Sequence, residues 1–457
     1  MDDNTTPRVG LYTLGCKVNQ AETDWLGRRL AELGCKVVPF DALADVYIVN
    51  TCSVTHVGDS KSRQILRRAR RRNPKALVIA TGCYASIVRG AMPVDDVVVV
   101  PNRQKDAVPE IALRHLELQR GQNVWKGRAS EMALAPGPPA ARARPMVKVQ
   151  DGCDGICSYC IIPRARGRSR STPPDAVINQ VKALVDAGHK EVVITGVDLG
   201  SYGSESQLLP DLGGLVSLIL ERTSIHRIRI SSLEPGDFNL KWLSLWKDRR
   251  MCRHLHVPLQ AGSDEVLSRM RRAYDCHRFK QVVLAARAEI RGVAITTDLI
   301  AGFPQESESE HQLGIRFIES CELDGLHVFP YSARPGTAAA HLPGQVPENV
   351  KKQRAQELRN VAEERRRLHI GRNLGQEIEV VWESTADGIS EGISDNNVRV
   401  YGTSKLMPGM VETGLLSSAY ADGAWVQSAA GAPEPHQSEN ILEVGNTFKP
   451  SGSLEVV

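Results

Sequence analysis

Apolar and polar positions in the first hundred residues alternate between two textures. Short β-type apolar runs end in cysteine three times, RVGLYTLGC at Cys16, DVYIVNTC at Cys52 and ALVIATGC at Cys83. Between them, Asn19 to Leu33 and Gly58 to Arg72 carry helix-like patterning. Strand, helix, strand, helix, strand predicts a parallel sheet with helices on its faces. Ligands of such sheets lie beyond the carboxyl ends of the strands, where all three cysteines fall. Separations of 36 and 31 residues therefore do not keep them apart in space.

Farther on, RASEMALAPGPPAARARP (Arg128 to Pro145) has no period and reads as a linker. Six β-type runs follow: Met146 to Asp151, Glu191 to Gly196, Arg227 to Ser232, His254 to Leu259, Ala294 to Ile300 and Leu326 to Tyr331. Helical segments separate them, among them PPDAVINQVKALVDAG and FKQVVLAARAEIRG, the second ending at Gly292 as a helix C-cap should. Six β/α units predict an open or partial barrel, shorter than the eight-unit form of about 250 residues. Val350 to Arg372 is a charged helical run, and QEIEVVWE, NNVRVYG and GAWVQS then predict a small all-β module. The stretch from about Gly431 is rich in Pro, Ser and Glu and reads as weakly ordered.

Composition narrows the class. At 457 residues two to three domains are expected, and 42% apolar with 24% charged residues is the balance of a soluble globular protein. The N-terminus has no signal-peptide core and no apolar run reaches membrane-spanning length, so the expected location is the cytoplasm. Ten cysteines in a reducing compartment do not suggest a disulfide framework, and metal ligation becomes the leading explanation for any that cluster. Charge is uneven: residues 371–457 carry 4 Lys/Arg against 12 Asp/Glu, so that tail is −8 and residues 1–370 are +12. A polyanion should meet the first two-thirds.

DGCDGICSYCIIPR, Asp151 to Arg164, places Cys153, Cys157 and Cys160 within eight residues and omits a fourth cysteine. A zinc knuckle would need a distant completing ligand, and the next histidine is His189. Iron–sulfur clusters are held by cysteine thiolates, four when fully protein-ligated. Three leave one iron open to a small molecule.

CxxxCxxC just after the first strand of a β/α barrel resembles the radical S-adenosylmethionine superfamily. In that superfamily the open iron chelates S-adenosylmethionine (SAM), and an electron from the cluster yields a 5′-deoxyadenosyl radical. GCKVNQ, NTCSVTHVGDSKSRQ and TGC, with ITGVDLGSYG, RISSLEP, HVPLQAGSDEVLSRMRR, TDLIAGFPQE and VFPYSARPGT, resemble the methylthiotransferases. The likeness covers about residues 8 to 430 and ends in a TRAM-like β module.

That resemblance implies an α/β protein in three parts. An N-terminal domain spans residues 7–125, a linker 126–145, a partial (β/α)6 radical SAM domain 146–370 and a TRAM-like domain 371–430, before a tail over 431–457. It implies two 4Fe-4S clusters, an auxiliary one on Cys16, Cys52 and Cys83 and the radical-generating one on Cys153, Cys157 and Cys160. One SAM would donate a methyl group to sulfur at the auxiliary cluster; a second would activate a substrate C–H bond for methylthio insertion. SAM contacts are assigned to Tyr159, Thr195, Gly196, Ser232 and Gln260, for each of which loop packing is the plain alternative. Cys35, Cys252, Cys276 and Cys321 match no ligand position and read as packing. His254 and His256, two apart on one strand, share a face and read as packing too. No side-chain acid or base is identified.

Family branches modify an adenosine beside the tRNA anticodon or an aspartate of a ribosomal protein. KSRQILRRARRRNPK has eight basic residues in fifteen, including Arg63, Arg67, Arg68, Arg70, Arg71 and Arg72, which suits phosphate contact; a solvated helix face is the alternative. Arg164, Arg166, Arg168 and Arg170 alternate, so an extended backbone would aim all four to one side. GCKVNQ with TCSVTHVGDSKSRQ is similar to the branch acting on N6-threonylcarbamoyladenosine. The isopentenyladenosine branch, the ribosomal-protein branch and a non-catalytic iron–sulfur RNA-binding protein are the competing readings. Expected partners are tRNA, SAM and an electron donor such as flavodoxin or ferredoxin, with neither membrane nor DNA. The β module departs from an RNA-gripping role, since Gly371 to Ala430 holds three basic and eight acidic residues.

Overall fold

The computed structural model describes residues 6–88, 92–120, 142–403 and 407–428. The first unit is a five-stranded parallel sheet of β1 (Arg8–Thr13), β2 (Lys36–Val38), β3 (Val46–Thr51), β4 (Leu77–Gly82) and β5 (Val97–Val99), in the order β2-β1-β3-β4-β5. Its helices are α1 (Lys17–Glu32), α2 (His56–Arg72), α3 (Cys83–Val88) and α4 (Val108–Arg120). β3 and β4 are buried throughout because both their faces are covered. Tyr47, Val49, Val78 and Ala80 pack with Leu66 and Ala69 of α2, while Val46, Ile48 and Ile79 pack with Leu26 and Leu30 of α1. The strand order reverses at β1 and β3, which puts the topological switch point at their carboxyl ends. β2 and β5, three residues each, were not among the expected strands, although β5 falls in the four-valine run Val97 to Val100.

The second unit holds β6 (Met146–Lys148), the short ribbon of β7 (Gln150–Asp151) and β8 (Arg170–Ser171), then β9 (Glu191–Thr195), β10 (Arg227–Ile230), β11 (His254–His256), β12 (Ala294–Ala301) and β13 (Gly325–Pro330). Parallel bridges at Ile228–Met251 and Ser232–His256 join its two three-stranded sheets into one wall, β6-β9-β10-β11-β12-β13. This is the expected open barrel of six β/α units. Its helices are α5 (Ile162–Arg166), α6 (Pro174–Asp186), α7 (Leu212–Arg222), α8 (Asp264–Arg269), α9 (Cys276–Glu289) and α10 (Glu308–Ser320). Val147, Ile194, Ile228, Leu255, Ile295 and Leu326 point outward into a core with Val181, Val216, Phe279 and Ile318. Side chains alternate along a strand, so Lys148, Glu191, Arg229, His254, His256 and Asp298 face the lumen. The predicted strand through Leu259 stops at His256 because Pro258 offers no ladder donor.

The 26-residue α11 (Glu348–Asn373) packs along β13 and β12 and leads into β14 (Glu377–Ala386), β15 (Ile389–Ser394), β16 (Arg399–Thr403), β17 (Val411–Tyr420) and β18 (Gly423–Ser428). These close into a barrel in the order β14-β15-β16-β18-β17 around the fully buried Trp382. It docks on the amino end of the β/α barrel: Arg229 donates to Ser394 O at 2.7 Å, and Arg253 grips Asp395 at 2.6 and 3.1 Å. Most of the 126–145 linker and the 431–457 tail lie outside the described residues. Among the described residues, no helix is long and apolar enough to cross a membrane.

Candidate cluster-binding site

Cys16 caps α1, Cys52 directly follows β3, and Cys83 opens α3 after β4. The loops that carry them are laced together. Asn19 Nδ2 donates to Leu14 O at 2.7 Å and Thr51 O at 3.1 Å, and Thr51 Oγ1 accepts from Ala85 N at 3.1 Å. Ser62 Oγ accepts from Cys52 N at 3.2 Å and donates to Cys52 O at 3.0 Å. The glycines before Cys16 and Cys83 are required. Gly15 has φ +92° and a Cβ there would lie 2.8 Å from Cys52 Sγ; Gly82 has φ +94° and a Cβ would lie 2.3 Å from Thr51 O. Cys16 is reached by solvent although protein surrounds it, and burial pushes its thiol up; burial takes Cys52 to about 12.

Cys153, Cys157 and Cys160 occupy the loop between β7 and α5. Gln150 holds its base, with Nε2 donating to Gly152 O at 2.8 Å and Oε1 accepting from Val197 N and Asp198 N, both at 2.9 Å. Ser158 N donates to Met270 O at 2.9 Å and its hydroxyl to Arg269 O at 2.8 Å. Two donors point at sulfur: Arg272 Nη1 at 3.0 Å from Cys157 Sγ and Gly155 N at 3.2 Å from Cys153 Sγ. Burial, then Asp198, raises Cys153 to about 12, and burial raises Cys160 to about 11. Such thiols become thiolates only opposite a cation, so bound metal and deprotonation go together.

A single tetrahedral zinc would draw its sulfurs to about 3.8 Å apart. Among the described residues, the only three ligand atoms gathered within 4.8 Å are those of His256, Asp298 and His327. Neither cysteine triad closes that tightly, which fits a cluster carrying one iron per thiolate. No disulfide joins any of the ten cysteines; Cys35, Cys252 and Cys321 are buried and Cys276 half-buried.

Buried charge joins the two thiol sites. Arg166, from α5, donates to Glu22 of α1 at 2.9 Å, to Asp151 at 2.8 Å and to Asn19 Oδ1 at 2.5 Å. Lys148 Nζ reaches Glu22 at 2.9 Å and Asp151 at 3.3 Å, and Lys105 pairs with Glu22 as well. Arg166, Lys105 and Lys148 outweigh the burial cost on Glu22 and hold its carboxyl well below the usual range. Asn102 Nδ2 bridges the sites, 3.7 Å from Cys83 Sγ and 3.1 Å from Ala165 O. α1 packs against β6, while Arg334, just past β13, donates to Ser53 Oγ at 3.0 Å and pairs with Asp59. The first unit thus spans the barrel's open edge, and α3, which Cys83 opens, packs against α5, which follows Cys160.

Thr195, Gly196, Ser232 and Gln260 all stand at the carboxyl ends of barrel strands, on the same mouth as the cysteine loop. Tyr159 accepts from Arg272 at 3.3 Å and meets Phe303 edge-on. The arginine readings need correction. Arg164 and Arg166 lie on the α5 turn rather than on extended backbone, so the four do not share a side. Arg166 is fully buried in ion pairs and inaccessible to phosphate, whereas Arg164 is exposed and Arg168 is 93% exposed. Arg170 lies 3.6 Å from Asp151. On α2, Arg70 is spent on Pro74 O and Ala76 O, and Arg63 bonds Tyr84; Arg67, Arg68, Arg71 and Arg72 are exposed, although Arg68 pairs with Asp41 and Arg72 bonds Asp41 O. Sequence reading missed Arg272 and Asn102, whose only relation to the cysteines is spatial.

Comparison with known proteins agrees with this geometry. Residues 147–318 match the Radical SAM superfamily, and the chain is a radical SAM protein that uses SAM and a 4Fe-4S cluster. Residues 8–98 match the Uncharacterized protein family UPF0004. The chain is 36% identical to the threonylcarbamoyladenosine tRNA methylthiotransferase MtaB of Bacillus subtilis, covering 90% of this chain and 94% of that one. It is 36% identical to the same enzyme of Aquifex aeolicus over 81% of this chain and 92% of that one. The tRNA-2-methylthio-N(6)-dimethylallyladenosine synthase of Pelotomaculum thermopropionicum is 29% identical over 82% and 87%. The chain belongs to the radical SAM methylthiotransferase family. Its fold resembles that of the radical SAM methyltransferase TsrM from Kitasatospora setae, with TM-score 0.53 and 14% identity over 73% of this chain and 74% of that one.

Proposed function

We propose that this enzyme inserts a methylthio group at C2 of N6-threonylcarbamoyladenosine-37 in tRNA, consuming one SAM as methyl donor and a second to activate the C–H bond. Cys153, Cys157 and Cys160 hold the SAM-binding cluster, and Cys16, Cys52 and Cys83 hold a second 4Fe-4S cluster. When bound, these clusters supply the electron for SAM cleavage and the iron site at which sulfur is carried. The protein's share is positioning and exclusion of water. Arg272 and Gly155 N donate to sulfur, Gln150 and Asn19 fix the two loops, and the Glu22–Arg166 contact holds them at one separation.

The observation that carries this reading is the Asn102 bridge, 3.7 Å from Cys83 Sγ and 3.1 Å from Ala165 O, which sets two three-thiol loops side by side, each one ligand short of a closed cluster. The substrate branch is supported by GCKVNQ and by relatives whose names specify threonylcarbamoyladenosine. The exposed Arg67, Arg68, Arg71 and Arg72 of α2 supply cationic contact with tRNA. A flavodoxin or ferredoxin supplies electrons. Nucleoside mass spectrometry of tRNA from a deletion strain tests the reading. 2-Methylthio-N6-threonylcarbamoyladenosine should vanish and return on complementation; its persistence in the deletion strain would refute the assignment.

A further inference from the structure

The lumen carries a second polar cluster that neither thiol site uses. His256 Nε2 lies 3.2 Å from one oxygen of Asp298, and His327 Nδ1 lies 3.1 Å from the other. The two imidazoles stack with centroids 5.4 Å apart and planes 26° apart. Thr296 Oγ1 is 2.9 Å from both His256 Nδ1 and His254 Nε2, so it ties the rings of β11 to β12. Exposure grades from the buried His254 and His256 to His327, at 60%, so the cluster opens on one side.

A divalent cation or an anionic, hydrogen-bonding group could occupy such a place. The surrounding charge decides between them. Lys17 is the first residue of α1, which packs against the edge strand β6 of the barrel, and its charge acts on Asp298, His254 and His256, yet among the described residues its ammonium makes no hydrogen bond. Arg229 also faces His254 and Lys17 from β10; Glu191 pairs with Arg229 and Arg227 and lies 3.6 Å from Arg144. Both oxygens of Asp298 are taken by imidazoles, while the buried His254 Nδ1 has no partner among the described residues. What is left unpaired is an ammonium and an imidazole nitrogen. A dication would sit against Lys17 and Arg229; a carboxylate would pair with Lys17.

We propose that Lys17, His254, His256, Asp298 and His327 form the pocket for the carboxylate-bearing side group of the substrate nucleoside, an inference that rests on the threonylcarbamoyladenosine reading above. Lys17 takes the carboxylate, and the Asp298–His327 edge takes the neighbouring hydroxyl. A dimethylallyl group offers neither and leaves Lys17 and His254 unpaired, so the same pocket discriminates against it.

The test uses reconstituted holoenzyme and three anticodon stem-loops, carrying N6-threonylcarbamoyladenosine, its carboxyl methyl ester, or N6-isopentenyladenosine. Native protein should bind the acid about tenfold or more tighter than the ester, the size of one charge-assisted contact. Lys17→Met and His327→Leu should each collapse that preference, with iron content and melting temperature reporting that the variants are folded. Undiminished acid-over-ester preference in both variants would overturn the pocket, as would one equivalent of Co2+ bound by holoenzyme and lost in His327→Leu. Native enzyme that methylthiolates the acid while the variants still discriminate refutes the pocket alone. Native enzyme acting only on the isopentenyl stem-loop refutes the parent reading and the pocket with it.

Discussion

The guanidinium of Arg166 donates to Glu22 at 2.9 Å across 144 residues of chain, and this contact joins the helix after Cys16 to the helix after Cys160. Glu22 also neutralises Lys105 and Lys148, so one carboxylate serves two buried cations and a third that is partly exposed. Glu22→Gln leaves them underpaired and should destabilise the protein by about 3–5 kcal/mol, read as a lower melting temperature. Glu22→Gln combined with Arg166→Met should recover part of the loss, because the two residues are coupled. Strictly additive losses would contradict the coupling.

Arg272 is predicted to tune the SAM-binding site through Cys157 Sγ and Tyr159. Arg272→Met should form 5′-deoxyadenosine about 10–100-fold more slowly, as loss of an outer hydrogen bond to a metal ligand does. Arg272→Lys keeps the charge but not the fork, and should fall between. Native rates in Arg272→Met would show that the contact is only structural.

The two thiol sites should separate by chemistry. Reconstituted native protein should carry about eight irons per chain, and Cys157→Ala and Cys52→Ala about four each. Cys157→Ala should lose SAM cleavage, whereas Cys52→Ala should keep 5′-deoxyadenosine formation and lose methylthio product. Iron analysis and product chromatography decide it.

Glu191 gives a pH signature. Burial alone would raise its carboxyl, but Arg229, Arg227 and Arg144 outweigh that and hold it at about 2, against an ordinary 4.5. A carboxyl depressed in the folded state adds stability that is complete above its unfolded value and is lost as pH falls through the folded one, here on the order of 3 kcal/mol. Glu191→Gln should therefore melt lower at neutral pH and decline less steeply than native between about pH 5 and about pH 3. Parallel curves would remove Glu191 as the source.

Exposure sorts the arginines. Arg67→Glu with Arg71→Glu should weaken tRNA binding and flatten its salt dependence, the slope falling by about one for each phosphate no longer neutralised. Arg166→Met should instead lower the melting temperature, since its side chain is buried in ion pairs. A salt slope that changes in Arg166→Met but not in the α2 variants would invert this assignment.

Sequence by itself determined the thiol inventory, the alternation of strands and helices, and the placement of Cys16, Cys52, Cys83 and Cys153 at strand ends, because apolar periodicity and strand-end chemistry are local properties. It also paired His254 with His256 on one face, since strand side chains alternate. It misread Arg164, Arg166, Arg168 and Arg170, because a single helical turn at α5 cancels the alternation an extended chain would have given. Only the tertiary structure decided that Arg166 is a buried clamp, that Arg272 reaches Cys157 across 115 residues, and that α1 closes the barrel's open edge. Those contacts depend on charges whose burial is tolerable only when partners from distant segments converge, and no local pattern along the chain encodes such convergence.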